Sequence, residues 1–264
     1  MSLTFSSIAE PESNDALLYY TEKESVPDIS ASSWLVFDAD TGEQLFFHNE
    51  EEVRPIASIT KLATAVAFLE GNDLTATTTI TWSDLNAEGI AGKLSVGEEY
   101  TYHELLFPLL LESSNDAAEV LRRVDANILN KMDEVVQDIG LTKTAFADTS
   151  GLSDQNVSTA SEISQLLRHV SVAHPHLIDI TKLPSYINSK NGWMNNDPVI
   201  KEEGFAGGKH GFTYSANRTF AGLFKEELFG RHVRTFGYVL LGSDDLVTDV
   251  RALRAFAVAN TRVR

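Results

Sequence analysis

Cysteine is absent from the chain of 264 residues. The protein therefore has no disulfide, no thiol nucleophile and no cysteine-ligated metal. The absence of cysteine does not identify the cellular compartment of the protein.

Long apolar segments are also missing. The longest run, residues 105–111, is too short to cross a bilayer. Residues 1–15 are polar and acidic, and they lack the basic head and apolar stretch of a secretory signal peptide. We therefore expect no stable membrane insertion by this chain, and either a cytosolic protein or a mature or trimmed form.

Positive charge is scarce. The chain has 21 Lys and Arg against 38 Asp and Glu, which gives a formal net charge of -17, and no basic patch offsets it. Nucleic acid and anionic membrane surfaces are consequently poor partners. A hydrophobic fraction of 43% is enough for a sizeable core.

Local patterns predict strands near both ends of the chain and helices between them. The fold class is therefore α+β: an antiparallel sheet built from both chain ends, packed with helices, and a helical middle. The predicted strands cover 33–38, 44–48, 75–82, 212–224 and 235–241, and the predicted helices cover 56–70, 101–111, 116–124, 130–139, 160–170 and 249–260.

The domain organisation follows from the same patterns. Residues 1–29, rich in Ser, Glu and Asp, are predicted to be a flexible arm, and 30–264 a single catalytic domain. Its sheet subdomain would comprise about 30–55 and 205–264, and its helical subdomain about 56–204. Within the latter, the polar stretch 185–204 is predicted to be a loop.

Ser58 and Lys61 lie at the start of the most apolar predicted helix. Residues three apart share a helix face, so the hydroxyl and the amine would lie within reach of each other. Burial lowers the pKa of a lysine, and a neutral amine beside a serine is a general base beside a nucleophile. The alternative is a helix-capping serine and an exposed lysine, but Ser-x-x-Lys occurs only once in the chain.

Two further motifs follow in order. Ser113-Ser114-Asn115 lies between two predicted helices, and Lys209-His210-Gly211 leads into a predicted strand. Other Ser-x-Asn and Lys-x-Gly triplets occur at 189–191, 215–217 and 190–192, but they lack this order and context. The alternative interpretations are a helix cap at 113–115 and an exposed strand-edge lysine at 209.

Ser-x-x-Lys, Ser-x-Asn and Lys-Thr-Gly occur together in penicillin-binding proteins and class A β-lactamases. From about residue 34 to 242 the chain resembles the serine D-alanyl-D-alanine carboxypeptidases, which are low-molecular-mass penicillin-binding proteins of the serine β-lactamase-like superfamily. The resemblance also includes Phe-Ala-Asp-x-Ser-Gly-Leu at 146–152.

The resemblance implies catalytic roles for residues of the first two motifs. Ser58 would attack an amide carbonyl and become acylated, while Lys61 would take its proton. Ser113 would relay a proton to the leaving amine, and Asn115 would hold the substrate amide or Lys61.

The third motif and the residues after it would bind the substrate. Lys209 would bind the substrate carboxylate and help to keep Lys61 neutral, because like charges repel. The backbone N–H groups of Ser58 and Phe212 would form the oxyanion hole. The resemblance therefore implies a substrate-binding segment comprising Lys209, His210, Gly211, Phe212 and Thr213.

His210 departs from the family pattern, which has Thr or Ser between the lysine and the glycine. A hydroxyl at this position helps to bind the substrate carboxylate, whereas an imidazole is bulkier and titrates near neutral pH. The alternative is that His210 points away from the cleft and matters little.

The resemblance implies a serine DD-carboxypeptidase that removes the terminal D-alanine of peptidoglycan stem peptides through an acyl-enzyme. It implies no metal or cofactor, β-lactam antibiotics as covalent inhibitors, and a periplasmic or extracellular place in the cell envelope.

Two alternatives stay open. A serine β-lactamase would need a second base, for which Glu162 is the one carboxylate we nominate, although its place inside a helix favours a structural role. A non-catalytic penicillin-binding-type module would keep the fold without turnover, and His210 is the feature that supports it.

Overall fold

A computed structural model describes residues 18–20, 25–89, 92–230 and 232–263. Its strands are β1 (Leu18–Tyr20), β2 (Ser33–Asp38), β3 (Gln44–His48), β4 (Arg54–Pro55), β5 (Thr77–Thr79), β6 (Glu99–Thr101), β7 (Val157–Ser158), β8 (Ser185–Ile187), β9 (Gly192–Met194), β10 (Phe205–Thr213), β11 (Asn217–Leu228), β12 (His232–Ser243) and β13 (Thr261–Val263). Its α-helices are α1 (Thr60–Gly71), α2 (Tyr102–Leu111), α3 (Asn115–Val124), α4 (Ile128–Ile139), α5 (Ala160–Ala173), α6 (Pro175–Thr181) and α7 (Leu246–Asn260).

Strands from the two ends of the chain form one five-stranded antiparallel sheet in the order β10-β11-β12-β2-β3. The predicted α+β class, with a sheet built from both chain ends and a helical middle, is confirmed. The subdomain boundaries proposed from the sequence stay predictions.

The central strands are apolar on both faces, because each face of the sheet is covered. Along β2, Leu35 and Phe37 belong to the core shared with the helical middle, while Trp34 and Val36 belong to the core shared with α7. This alternation is the two-residue period of a strand. The sheet is thus the middle layer between the helical subdomain and the C-terminal helix.

Helix α1 lies inside the helical layer and contacts α2, α4 and α5. Its residues from Thr60 to Phe68 are all buried, as expected for a helix that is apolar nearly all round. The predicted helix 56–70 is therefore present, but its first turn is a tighter 3-10 turn, Ala57–Ile59. Ala57 in that turn has a φ of 48°, in the left-handed region.

The prediction of one strand over 212–224 is wrong. This segment crosses the turn between β10 and β11, where the Thr213 hydroxyl accepts a hydrogen bond from the Ala216 N–H and Asn217 has a φ of 54°. The error has a simple cause, since the apolar residues on either side of the turn keep one alternating pattern.

The prediction of a structureless loop over 185–204 is wrong in its first half. Strands β8 and β9 form a hairpin there, and the Asn188 side chain accepts N–H groups of Lys190 and Asn191 in its turn. The Tyr186 and Trp193 rings stack across it, with centroids 6.1 Å apart. Helix α6, which begins at Pro175, was also not predicted.

The predicted arm, 1–29, falls largely outside the described residues, at 1–17 and 21–24. Its described strand β1 pairs antiparallel with β13. Within the described ranges, no helix has the length and apolar character needed to cross a membrane.

Candidate active site

Ser58 and Lys61 come together where the 3-10 turn passes into α1. Ser58 is half-buried, Lys61 is fully buried, and Lys61 Nζ lies 2.9 Å from Ser58 Oγ. The amine and the hydroxyl are therefore in direct contact, on the face that the three-residue spacing indicates.

Two carbonyl oxygens complete the surroundings of the Lys61 amine. Lys61 Nζ donates to Asn115 Oδ1 at 2.8 Å and to the Ser150 carbonyl oxygen at 2.5 Å. The orientation of the Asn115 amide is fixed, because its Nδ2 donates to the Glu88 carbonyl at 2.6 Å. Both partners are acceptors only, so each one requires an N–H of the amine.

Burial lowers the pKa of Lys61 well below its ordinary value, and the nearby Lys209 ammonium lowers it further, against a smaller opposite effect of Asp148. A neutral amine has two N–H groups and one lone pair. With the N–H groups held by Asn115 and Ser150, the lone pair is left for the Ser58 hydroxyl. The arrangement can therefore remove the proton of that hydroxyl.

The loop that supplies the Ser150 carbonyl is built around the Asp148 carboxylate. It accepts the N–H groups of Ser150, Gly151 and Ser153 at 2.6–2.8 Å. Burial raises the pKa of Asp148, but these N–H groups outweigh it and hold the pKa below its usual range. The loop also packs closely against the 3-10 turn that carries Ser58. A Cβ on Gly151 would lie 2.0 Å from the Ala57 carbonyl oxygen.

Asp148 and Ser150 belong to the site but were not predicted to do so, although both lie in the 146–152 motif. The available signal was an aspartate shortly before a Ser-Gly pair, which is typical of a turn held by a side-chain carboxylate.

Ser113 lies in the cleft but is not joined to Ser58 or Lys61. Its hydroxyl forms no hydrogen bond with any described residue, and its φ is 62°. The residue that caps α3 is the neighbouring Ser114, because its side chain accepts the Ala117 N–H at the start of the helix. The Ser113 side chain is thus available for a substrate.

Strand β10 is an edge strand of the sheet and passes beside the nucleophile. A Cβ on Gly211 would lie 2.6 Å from the Ser58 backbone nitrogen, so only glycine permits this approach. The neighbouring β11 is fastened to the same segment, since the Thr219 hydroxyl donates to the Ile56 carbonyl at 3.0 Å. Thr219 is a further positioning residue, and no motif in the sequence predicts it.

Lys209 is buried, and it lies on the same strand face as Gly211, which faces the turn that carries Ser58. Its Nζ donates to the His210 carbonyl oxygen at 2.6 Å. Burial lowers the pKa of Lys209 to about 8, despite the opposing charge of Asp197. The charge of Lys209 therefore acts on Lys61, and binding of the substrate carboxylate by Lys209 stays a prediction.

His210 is one of the residues that line the cleft, and its side chain is mostly buried beside Asp197. Its contact with a substrate stays a prediction. Its Nδ1 lies 3.6 Å from Asp197 Oδ2, within ion-pair range, and forms no hydrogen bond with any described residue. Burial and the charge of Lys209 lower the pKa of His210, while Asp197 opposes both. Buried Asp197 was not foreseen from the sequence.

The cleft has a volume of about 270 Å³. It brings together the first motif, the second motif, the 148–153 loop and the β10 segment. Its lining residues are Ser58, Gly89, Ser113, Asn115, Gly151, Leu152, His210, Gly211, Phe212 and Thr213.

Glu162, the base nominated for a β-lactamase, does not line this cleft. Its carboxylate accepts the N–H groups of Thr142 and Lys143 and the hydroxyl of Thr144. These bonds hold the residues after α4, and Glu162 is therefore a structural residue.

The buried Lys61 contacts the Ser58 hydroxyl between a helical layer and an antiparallel sheet. This arrangement is typical of serine enzymes that use a lysine as the base. The sequence model of the peptidase S11 family, D-alanyl-D-alanine carboxypeptidase, matches residues 20–229. The chain belongs to this family.

Relatives in sequence carry two kinds of name. D-alanyl-D-alanine carboxypeptidase DacB2 of Mycobacterium tuberculosis is 32% identical over 209 residues, which are 75% of this chain and 71% of the relative. A D-alanyl-D-alanine endopeptidase of Haemophilus influenzae is 34% identical over 145 residues, which are 53% of this chain and 50% of that protein.

Solved structures show the same fold. The crystal structure of D-alanyl-D-alanine carboxypeptidase from Mycobacterium tuberculosis H37Rv is 28% identical, has a TM-score of 0.82 and covers 91% of this chain and 95% of its own. Penicillin-binding protein D2 of Listeria monocytogenes, in its cefotaxime-bound form, is 23% identical, has a TM-score of 0.77 and covers 89% and 100%.

Proposed function

We propose that this chain removes the terminal D-alanine of peptidoglycan stem peptides through an acyl-enzyme on Ser58. One observation carries the proposal. Lys61 Nζ lies within hydrogen-bond distance of the Asn115 and Ser150 oxygens and of Ser58 Oγ. In its neutral form the amine would keep its two N–H groups on the first two and direct its lone pair to the Ser58 hydroxyl. A fully buried amine with this pattern is suited to proton abstraction.

In the first step, Ser58 Oγ attacks the carbonyl carbon of the D-Ala-D-Ala peptide bond, and its proton passes to Lys61 Nζ. The carbonyl oxygen becomes an oxyanion. Its donors would be the backbone N–H groups of Ser58 and Phe212, which the close approach at Gly211 brings near each other. Such donors act on charge that develops in the transition state.

In the second step, the C–N bond breaks and the leaving amine needs a proton. Lys61 now carries it, and Ser113 lies on the cleft wall with no competing hydrogen bond among the described residues. Ser113 would relay this proton, so that D-alanine departs as a neutral amine and Lys61 is neutral again.

In the third step, water attacks the Ser58 ester. Lys61 is available as the base for this step too, because it has returned to its neutral form. Glu162, the alternative base of a β-lactamase, is held by residues 142–144. This favours a peptidase over an enzyme with a dedicated deacylating carboxylate.

His210 would meet the terminal carboxylate of the substrate. It is one of the residues that line the cleft, and the charge of the neighbouring Lys209 would add to the attraction. A free carboxylate next to the scissile bond is the mark of a carboxypeptidase substrate. We therefore favour carboxypeptidase over endopeptidase action, although relatives carry both names.

Two further expectations depend on this function. β-Lactams would acylate Ser58, as the cefotaxime-bound form of the Listeria protein suggests. The protein would act in the periplasm or outside the cell, because its substrate is there.

The test compares wild type with Ser58→Ala and with Ser189→Ala, an exposed serine of the unrelated Ser-x-Asn triplet. Each is incubated with a labelled penicillin and analysed by intact mass, and D-alanine release from a D-Ala-D-Ala peptide is measured. We expect one adduct and D-alanine release in wild type and Ser189→Ala, and neither in Ser58→Ala.

Three outcomes would contradict the proposal. An adduct that persists in Ser58→Ala would exclude this nucleophile. Rapid loss of the adduct with hydrolysed penicillin would indicate a β-lactamase. A stable adduct without D-alanine release would indicate a non-catalytic binding module.

A further inference from the structure

Three potential metal ligands converge away from the active-site cleft. They are Glu70 in the last turn of α1, His169 in the last turns of α5, and His174 between α5 and α6. One ligand atom from each lies within 4.8 Å of the other two. The group joins segments that are far apart in the sequence.

His174 is the most informative member. The residue is 8% exposed, and its Nε2 lies 2.9 Å from Glu70 Oε1. The two atoms nevertheless do not meet hydrogen-bond geometry, and this buried nitrogen has no hydrogen-bond partner among the described residues. A buried nitrogen without a partner requires an explanation. At 2.9 Å the two atoms are in ion-pair contact, and a zinc ion bound to both would move them slightly apart.

The second histidine completes a recognisable donor set. The His169 and His174 rings are arranged edge to face, with centroids 5.4 Å apart. Two imidazoles and one carboxylate are ligands that Zn²⁺ takes in four-coordinate sites, with a water in the remaining position. A surface cavity of about 490 Å³ reaches His169 and gives access from solvent.

The distances allow such a site after small side-chain rotations. With zinc–ligand bonds of about 2.0–2.1 Å, the ligand atoms of a tetrahedral site lie roughly 3.3 Å apart. Because no two of these atoms lie more than 4.8 Å apart, no separation in the group has to shorten by more than roughly 1.5 Å. Glu70 can supply part of this movement, because its side chain is exposed.

We propose that Glu70, His169 and His174 form a zinc-binding site that fastens the end of α1 to the end of α5. At 1.5 Å per helical residue, Glu70 lies about 14 Å along α1 from Lys61. The metal is thus outside the catalytic centre. Its role is to stabilise the helix that carries the catalytic lysine, since an ion that binds only the folded state raises its stability.

The experiment uses the full chain freed of metal by a chelator and titrated with ZnCl2. Bound zinc is counted after gel filtration, affinity is measured by competition with a zinc indicator, and melting is followed with and without zinc. We expect one zinc ion per chain and a higher melting temperature. Glu70→Gln, His169→Asn and His174→Asn should each weaken binding by at least ~10²-fold, more than the loss typical of an outer-shell residue.

His48→Asn is the matched control, because this histidine is exposed at the end of β3. It should bind zinc like wild type. The proposal is overturned if wild type binds no stoichiometric zinc, if the three variants bind as wild type does, or if His48→Asn loses zinc as they do. The first result would leave a simple Glu70–His174 ion pair.

Two features keep the result clear. Because Glu70 is exposed, the Glu70→Gln variant should fold even if a variant of the buried His174 does not. Penicillin acylation of each variant shows that the fold is intact. Zinc binding and D-alanine release are measured separately, so failure of one proposal does not decide the other.

Discussion

Replacement of Gly211 by alanine should damage the active site through a single methyl group. The new Cβ would lie 2.6 Å from the Ser58 backbone nitrogen and 2.9 Å from the Ala57 Cβ. Ordinary contact begins at about 3.4 Å, so β10 and the nucleophile turn must separate by about 0.8 Å. Neither side is a flexible side-chain end, and the backbone itself has to move.

The expected loss follows from that displacement. A misplacement of about 1 Å in a catalytic arrangement costs on the order of 10²-fold in rate. Overpacking of a well-packed site costs roughly 1–3 kcal/mol in stability. Gly211→Ala should therefore remain folded at moderate temperature but acylate about 10²-fold more slowly.

The measurement is the second-order rate constant for acylation by a fluorescent penicillin, together with a thermal melt. Gly192→Ala is the control, because a Cβ there would lie 3.3 Å from the Ile187 side chain, in the β8–β9 hairpin outside the cleft. It should acylate like wild type. A Gly211→Ala rate within about threefold of wild type, at an unchanged melting temperature, would refute the argument that β10 and Ser58 share this contact.

Further predictions concern charge. The acylation rate should rise with pH as Lys61 loses its proton. Because the Lys209 charge lowers the pKa of Lys61, Lys209→Met should move this rise to higher pH. Identical pH–rate profiles of the two proteins would contradict this. Carboxylate substrates should bind more tightly as pH falls through the His210 titration, below its ordinary value near 6.5. His210→Thr should abolish that dependence of kcat/KM, and superimposable profiles would exclude contact with the carboxylate. Asp148→Asn should destabilise the fold by roughly 1–3 kcal/mol. Because the folded pKa of Asp148 is lowered, its contribution is complete above the unfolded pKa of about 3.9 and is lost as pH falls through the folded pKa. The difference in melting temperature should therefore shrink in acid, and a constant difference would argue against a charge effect.

Much of the fold could be predicted because local patterns and tertiary structure agree. The buried α1 helix is apolar all round, and the capping box at Thr101 marks the start of α2. The β10–β11 turn was missed because no proline and no glycine interrupts the apolar alternation at 214–216. The β8–β9 hairpin is held by ring stacking and asparagine side chains, which polar composition alone does not reveal.

The site could be predicted only where its residues form short motifs. Ser58 and Lys61 are three apart, and their contact follows from helix geometry. The Ser150 carbonyl comes from a backbone almost ninety residues away, and nothing in its side chain indicates that role. Asp197 beside His210, and Glu70 beside His169, are likewise long-range pairs. Such pairs become visible only when the chain is folded.

The two buried lysines have a consequence for heat stability. Both have pKa values below those of the unfolded chain, so they weaken the fold most at low pH, and the penalty shrinks as pH rises toward about 10.4. Methionine at position 61 or 209 would fill similar space without this cost, and would give a protein that melts later but turns over little substrate. Directed evolution that rewarded thermal tolerance alone would therefore favour replacement of both lysines.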